Sequence, residues 1–225
     1  MGHELYTVDQ RNHGRSPHND IMNYSAMAGD LQDLIRDLGF SKVSLLGHSM
    51  GGKTAMQFAQ SYPEKIKQLF VADIAPKEYA PHHQQIISAL KQIDFTKVKT
   101  RKAAEEQLSL LLSDVSTRQF LLKNLYWKSD AELGWRFNLD AIERHSTALG
   151  TKIEFSRSFS KTEFETCFIR GGNSNYISDA DLPEIHSAFP DAQLETIPGA
   201  GHWLHAEKPA AFIELVHSHL ISHSL

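Results

Sequence analysis

The chain has 225 residues, 41% of them hydrophobic, a formal net charge of −4 and a single cysteine. That length supports one substantial core with room for an inserted lobe. Mild acidity without a long basic run makes nucleic acid and anionic membrane poor partners, no apolar segment approaches the ~18–20 residues of a membrane span, and the lone Cys167 excludes an intramolecular disulfide and suits a reducing, cytoplasmic setting.

No charged-then-apolar leader opens the chain, so no secretory signal is expected. "ELYTVD", Glu4 to Asp9, reads as a short strand, and the polar "QRNHGRSPHND" after it as a loop. Met27, Leu31, Leu34, Ile35 and Leu38 fall at helical spacing, and Gly39 follows as a stop. "KVSLLG" is a second strand. Ala55, Phe58, Ala59 and Tyr62 mark one face of the next helix, which Pro63 closes, and "KQLFVADIA" is a third strand. From Pro76 to about Lys161 strand signals fade. Apolar residues recur at helical spacing through "QQIISALKQI", "AEEQLSLLL" and "TRQFLLKNLYW", which predicts a mainly helical insertion. Alternation then resumes with strand "TCFIRGG", helix "DADLPEIHSAF", strand "QLETIPG" and helix "PAAFIELVHSHL", the last placing Phe212, Ile213, Val216 and Leu220 on one face. Strands alternating with helices predict a parallel α/β sheet. The expected organisation is a core of residues 1–76 and 162–225 with a helical cap at 77–161.

The informative junction is "SLLGHSMGGKTAMQFAQ", where a strand meets a helix at Gly47-His48-Ser49-Met50-Gly51. A nucleophile on such a turn must project from the sheet edge, and the turn is too sharp for bulky neighbours, so Gly-x-Ser-x-Gly meets the need. The bare pattern arises by chance in roughly one chain in ten of this length; the strand before it and the helix after it supply the context. The helix N-terminus favours negative charge, and the Met50 N–H is one donor to a developing oxyanion.

Serine needs a histidine base, and the base needs a carboxylate. The order nucleophile, acid, histidine places the histidine after the last strand, where "IPGAGHWLHAEKP" supplies His202. His205 reads as a loop or helix-entry residue, and a metal site at the pair lacks suitably spaced partners. His82, His83, His217, His219 and His223 read as solvated positions. For the acid, "GGNSNYISDAD" puts Ser174 where an aspartate is expected, with Asp179 and Asp181 placed to start a helix. The alternative is Asp73, in "VADIAP", a carboxylate in an apolar run that is costly unless partnered.

"DQRNHGRSPH", "NYSAMAGDL", "GHSMGGKTAM", "VADIAP", "GGNSNYIS" and "GAGHWLHAEKP" together resemble the YbfF-type esterases of the α/β-hydrolase superfamily, from about Tyr6 to the C-terminal helix and least across the insertion. The resemblance implies an α/β-hydrolase fold with a helical cap. It implies a serine esterase or thioesterase acting on short to medium acyl esters and on acyl-CoA, with no metal or organic cofactor. In that family the matching positions, Ser49, Asp73 and His202, form the triad. Family members begin with further strands and a His-Gly-x-x-Gly loop that gives the second oxyanion donor. The chain as read starts after that segment, an N-terminally truncated version of the fold. This predicts a gap in the sheet, direct pairing of the strands holding Tyr6 and Leu45, or a partner chain in the space. Trp135, Phe137, Tyr176 and Trp203 are candidate liners of an acyl pocket, with core packing as the alternative. Arg136 is a candidate for a substrate carboxylate or phosphate, or a surface ion pair. Two rival functions stay open: C–C bond hydrolysis or lysis on the same scaffold, and acyl binding without catalysis. The oligomeric state is not fixed by the sequence.

Overall fold

Gly39 ends the first helix as its position predicts. In this computed structural model, which describes residues 3–80, 84–130 and 132–221, helix α1 runs Tyr24–Asp37. Gly39 takes φ +74°, and the N–H groups of Gly39 and Phe40 reach back to the carbonyls of Arg36 and Ile35. That left-handed stop satisfies carbonyls the helix would otherwise leave open. Strand β1 is Val43–His48, helix α2 Met50–Ser61 and strand β2 Ile66–Ala72, with a short 3-10 turn at Pro63–Lys65 between the last two.

The insertion contains helices α3 (Gln84–Lys91), α4 (Arg101–Ser109) and α5 (Val115–Leu122), strands β3 (Leu125–Ser129) and β4 (Glu132–Trp135), and helices α6 (Leu139–Arg144) and α7 (Ser146–Gly150). The chain then returns to strand β5 (Glu165–Gly171), a 3-10 turn at Asp179–Asp181, helix α8 (Leu182–Ala188), strand β6 (Gln193–Ile197), and helices α9 (Leu204–Glu207) and α10 (Pro209–Ile221).

The chain divides into two compact units, Met1–Asn23 with Tyr79–Gly150, and Tyr24–Glu78 with Thr151–Leu225. The second unit carries a parallel sheet of order β1-β2-β5-β6. Alternation splits its side chains between two faces. Phe70, Ala72, Cys167 and Ile169 point to one, where Phe212, Leu215, Val216 and Leu220 of α10 cover them. The expected α10 face is corrected at one position: Ile213 is 66% exposed, and Leu215 packs instead. On the other face Val71 meets α2, and Phe168 joins Phe155, Phe159, Phe164 and Phe189 in an aromatic cluster. Central strand β2 is buried on both faces, as parallel strands are. Burial pushes the Cys167 thiol up to about 12. His219, expected to be solvated, is half-buried and stacks on Phe70 at 6.2 Å; His82, His83 and His223 lie outside the described residues.

The first unit has its own core, in which Leu90, Ala104, Leu108, Leu122, Leu133, Trp135 and Phe137 are buried together. Thr100, Asp114 and Asn138 cap α4, α5 and α6 by accepting backbone N–H groups. The loop after residue 9 is wound around buried Asn12, whose side chain holds both the N–H and the carbonyl of Asn19, while its own carbonyl accepts from the Asn138 N–H.

Two sequence expectations are corrected here. "ELYTVD" is not a strand: residues 3–10 form no ladder, and Leu5, Tyr6 and Val8 are exposed. An alternating run becomes a strand only where a neighbour takes its backbone groups, and β1 has no second strand partner among the described residues. The run "TRQFLLKNLYW" is helical only to Leu122; Leu125, Tyr126 and Trp127 pair antiparallel with Trp135, Gly134 and Leu133. Aromatic residues favour such pairing, and the apolar run is too short for periodicity to decide.

Candidate active site

The turn after β1 carries the conformation the sequence calls for. Ser49 has φ +52° and ψ −119°, a backbone conformation that non-glycine residues rarely adopt and that is held here by its surroundings. Its N–H continues the ladder to the Ala72 carbonyl at 3.0 Å. A Cβ at Gly47 would lie 2.1 Å from the Gly51 carbonyl oxygen, and one at Gly52 would lie 2.5 Å from Ile74. Close approach of strand and helix therefore demands the glycines. Met50 opens α2, so its N–H is among those with no acceptor inside the helix.

Asp73 follows β2 directly, fully buried and also left-handed at φ +50°. Its Oδ1 accepts the Gly171 N–H at 3.1 Å, and its Oδ2 accepts the Ser174 hydroxyl and lies 2.8 Å from His202 Nδ1. These contacts resolve the cost of a carboxylate in an apolar run. His202 Nε2 lies 3.1 Å from Ser49 Oγ. With the Nδ1–H donated to Asp73, Nε2 offers its lone pair to the Ser49 hydroxyl, which donates to it. Asp179 is engaged elsewhere, in an ion pair with Arg170 at 2.6 Å, and Asp181 closes a capping box with Ser178 and pairs with Lys77.

The loop bearing His202 is fixed from several sides. Glu207 accepts the N–H groups of Gly201 at 2.7 Å and Trp203 at 3.2 Å. His48, next to Ser49, places Nε2 2.7 Å from the His202 carbonyl. Burial and the neighbouring His202 hold the His48 ring down to about 3. It is therefore neutral near pH 7, and its Nε2–H is the donor. His205 enters α9 and meets the His48 ring edge-on at 4.7 Å. Tyr176 stacks on the His202 ring, and Trp203 lies beside it at 5.4 Å.

The structure thus gathers Ser49, Met50, His48, Asp73, His202, Tyr176 and Trp203. Trp135 and Phe137 are buried in the first unit's core, stacked on each other at 5.5 Å, with the Trp135 indole N–H donating to the Leu90 carbonyl. Core packing accounts for both. Arg136 lies over the Tyr126 ring at 4.7 Å. Ser174, which in the sequence stands at an acid position, donates its hydroxyl to Asp73; only the return of β5 beside β2 brings them together. Among the described residues no group of three or more His, Cys, Asp or Glu is arranged to hold a metal ion, and no helix is long and apolar enough to cross a membrane.

A strained serine between strand and helix at the carboxyl edge of a parallel sheet, with a histidine in the loop after the last strand, is the layout of an α/β-hydrolase. The family model described as alpha/beta hydrolase fold matches residues 1–209, and the chain belongs to that family. It is 40% identical over 225 residues to the sn-1-specific diacylglycerol lipase ABHD11 of Mus musculus, across 97% of this chain and 72% of that protein. Esterase YbfF of Escherichia coli (strain K12) is 35% identical over 220 residues, across 97% of this chain and 83% of its own length. A solved marine microorganism esterase matches with a TM-score of 0.89 at 46% identity, covering 93% of this chain and 82% of that one.

Proposed function

We propose that this chain hydrolyses carboxylic esters of short to medium acyl groups, and acyl-CoA thioesters, through an acyl-enzyme on Ser49. The observation that carries the reading is the run of hydrogen bonds from Ser49 through His202 to Asp73. Similarity to proteins named esterase and diacylglycerol lipase supports an ester as the substrate.

In this reading the Ser49 oxygen attacks the acyl carbon while its proton passes to His202 Nε2. The carbonyl electrons collect on oxygen, which the Met50 N–H meets at the head of α2. The tetrahedral adduct collapses, the C–O or C–S bond breaks, and the proton on His202 goes to the departing alcohol or thiol. Water repeats the sequence, with His202 as base, and releases the acid. Asp73 fixes the imidazole tautomer and stabilises its cation. A cap role for residues 77–161, with selection of acyl length, belongs to the same proposal.

The test is turnover of p-nitrophenyl acetate, butyrate and octanoate and of an acyl-CoA, with a fluorophosphonate probe to label the nucleophile. Ser49→Ala should abolish both turnover and labelling while the protein stays folded. His202→Ala should do the same, and the double variant should lose no more than either single one, because the residues act as a unit. Near-normal turnover in Ser49→Ala overturns the reading. Acyl binding without turnover by the unmodified chain would favour a binding protein, and cleavage of C–C substrates in place of esters would favour the rival hydrolase.

A further inference from the structure

The mechanism above leaves Tyr176 without a task. Its ring lies against the face of the His202 imidazole, with centroids 3.7 Å apart and planes 16° from parallel. His48 and Trp203 also neighbour that imidazole, but tilted by 42° and 61° and at 4.7 and 5.4 Å. The Tyr176 backbone is tied to the same network: its N–H donates at 3.2 Å to Ser174 Oγ, whose hydroxyl reaches Asp73. Buried Ile177 follows it. One short loop after β5 therefore touches the acid through Ser174 and the base through Tyr176.

A nearly parallel, close overlap is not the arrangement two neutral rings favour, since their negative faces repel. It becomes favourable when one ring carries positive charge, because a cation is drawn to the face of an aromatic ring. His202 becomes that cation when it holds the Ser49 proton. An interaction stronger in the transition state than in the resting state speeds the chemical step.

We infer that Tyr176 is a positioning residue for the base: its ring face holds the His202 imidazole in plane and stabilises the imidazolium that forms as Ser49 attacks. The inference rests on the Ser49–His202–Asp73 reading. It differs from the sequence expectation of a pocket liner, because the ring face is spent on the histidine. Burial and the nearby Asp73 raise the Tyr176 phenol, which keeps it neutral.

Tyr176→Phe keeps the face and loses the hydroxyl; Tyr176→Leu fills space without a face. Steady-state kinetics on p-nitrophenyl butyrate should give Phe close to the unmodified protein. Leu should lower kcat by about 3- to 30-fold with KM unchanged. Equal kcat for Phe and Leu would mean that filling the space suffices, and overturns the inference. So does a rise in KM at constant kcat, the mark of a pocket liner, or a loss in Phe as large as in Leu. If the Leu variant does not fold, Tyr176→Met carries the same comparison. Turnover that survives Ser49→Ala overturns the triad reading and this inference together; Ser49-dependent turnover with Phe and Leu alike overturns this inference alone.

Discussion

Asp73 is the residue whose environment most constrains its role. A buried carboxylate that accepts from a backbone N–H, a hydroxyl and an imidazole is fixed in place and aimed at one ring nitrogen. Asp73→Asn should cut kcat/KM by orders of magnitude, because an amide stabilises the wrong imidazole tautomer. Asp179→Asn should leave it nearly unchanged, since that side chain is committed to Arg170. The reverse pattern would place the acid on the wrong strand end. His48 offers a second test, in stability. Its folded-state value of about 3 lies below its ordinary 6.5. As pH falls through that window the unfolded chain takes up a proton that the folded chain refuses. The contribution is complete above pH 6.5 and is lost toward pH 3, with a slope of at most ~1.4 kcal/mol per unit. His48→Gln keeps a donor for the His202 carbonyl but does not titrate. Its urea-unfolding free energy should fall less steeply with acid than that of the unmodified chain; equal slopes would count against a neutral His48.

Helix α2 does more than present Ser49. One turn on, Lys53 is 1% exposed, and its ammonium donates to the Lys77 carbonyl at 2.8 Å and to the Thr151 carbonyl. The Ile153 N–H meets the Pro76 carbonyl beside them at 2.8 Å. The helix thereby pins the segments where the chain leaves and re-enters the second unit. Burial draws Lys53 down to about 8, so it keeps its proton near neutrality. Lys53→Met preserves length and removes the donor, and should cost about 1–3 kcal/mol in urea unfolding; an unchanged midpoint would show that the clasp is not stabilising. The role of Lys53 is not legible in the sequence because its partners are backbone carbonyls, which no residue pattern announces. Helices α1 and α2 and strands β1, β2, β5 and β6 were legible because their apolar spacing and their Gly or Pro stops agree locally. The hairpin β3–β4 and the unpaired run at Glu4 to Asp9 were not, because strand status depends on a partner. Asp73 and His202 could be found from cost and chain order, whereas the contacts of Ser174 and Tyr176 exist only once β5 lies beside β2.

Across the whole chain, the candidate site is drawn from loops far apart in sequence that the parallel sheet brings to one edge. Global stability should register the strain held there. Ser49 and Asp73 both sit at positive φ at the ends of neighbouring strands, an arrangement that stores about 1–3 kcal/mol per residue. Glycine adopts that backbone freely, and alanine does not. Both Ser49→Gly and Ser49→Ala should be inactive, yet the Gly variant should unfold at the higher urea concentration; a Gly midpoint below that of Ala would mean that position 49 is not strained. The consequence reaches to how such a chain would drift under selection. A library screened only for soluble, folded protein should accumulate glycine at 49 and asparagine at 73, because both fit a left-handed backbone better than most residues and asparagine keeps an acceptor for the Gly171 N–H. Only a screen that scores turnover should retain serine and aspartate there. At these two neighbouring strand ends, a screen for folding and a screen for turnover should pull the sequence in opposite directions.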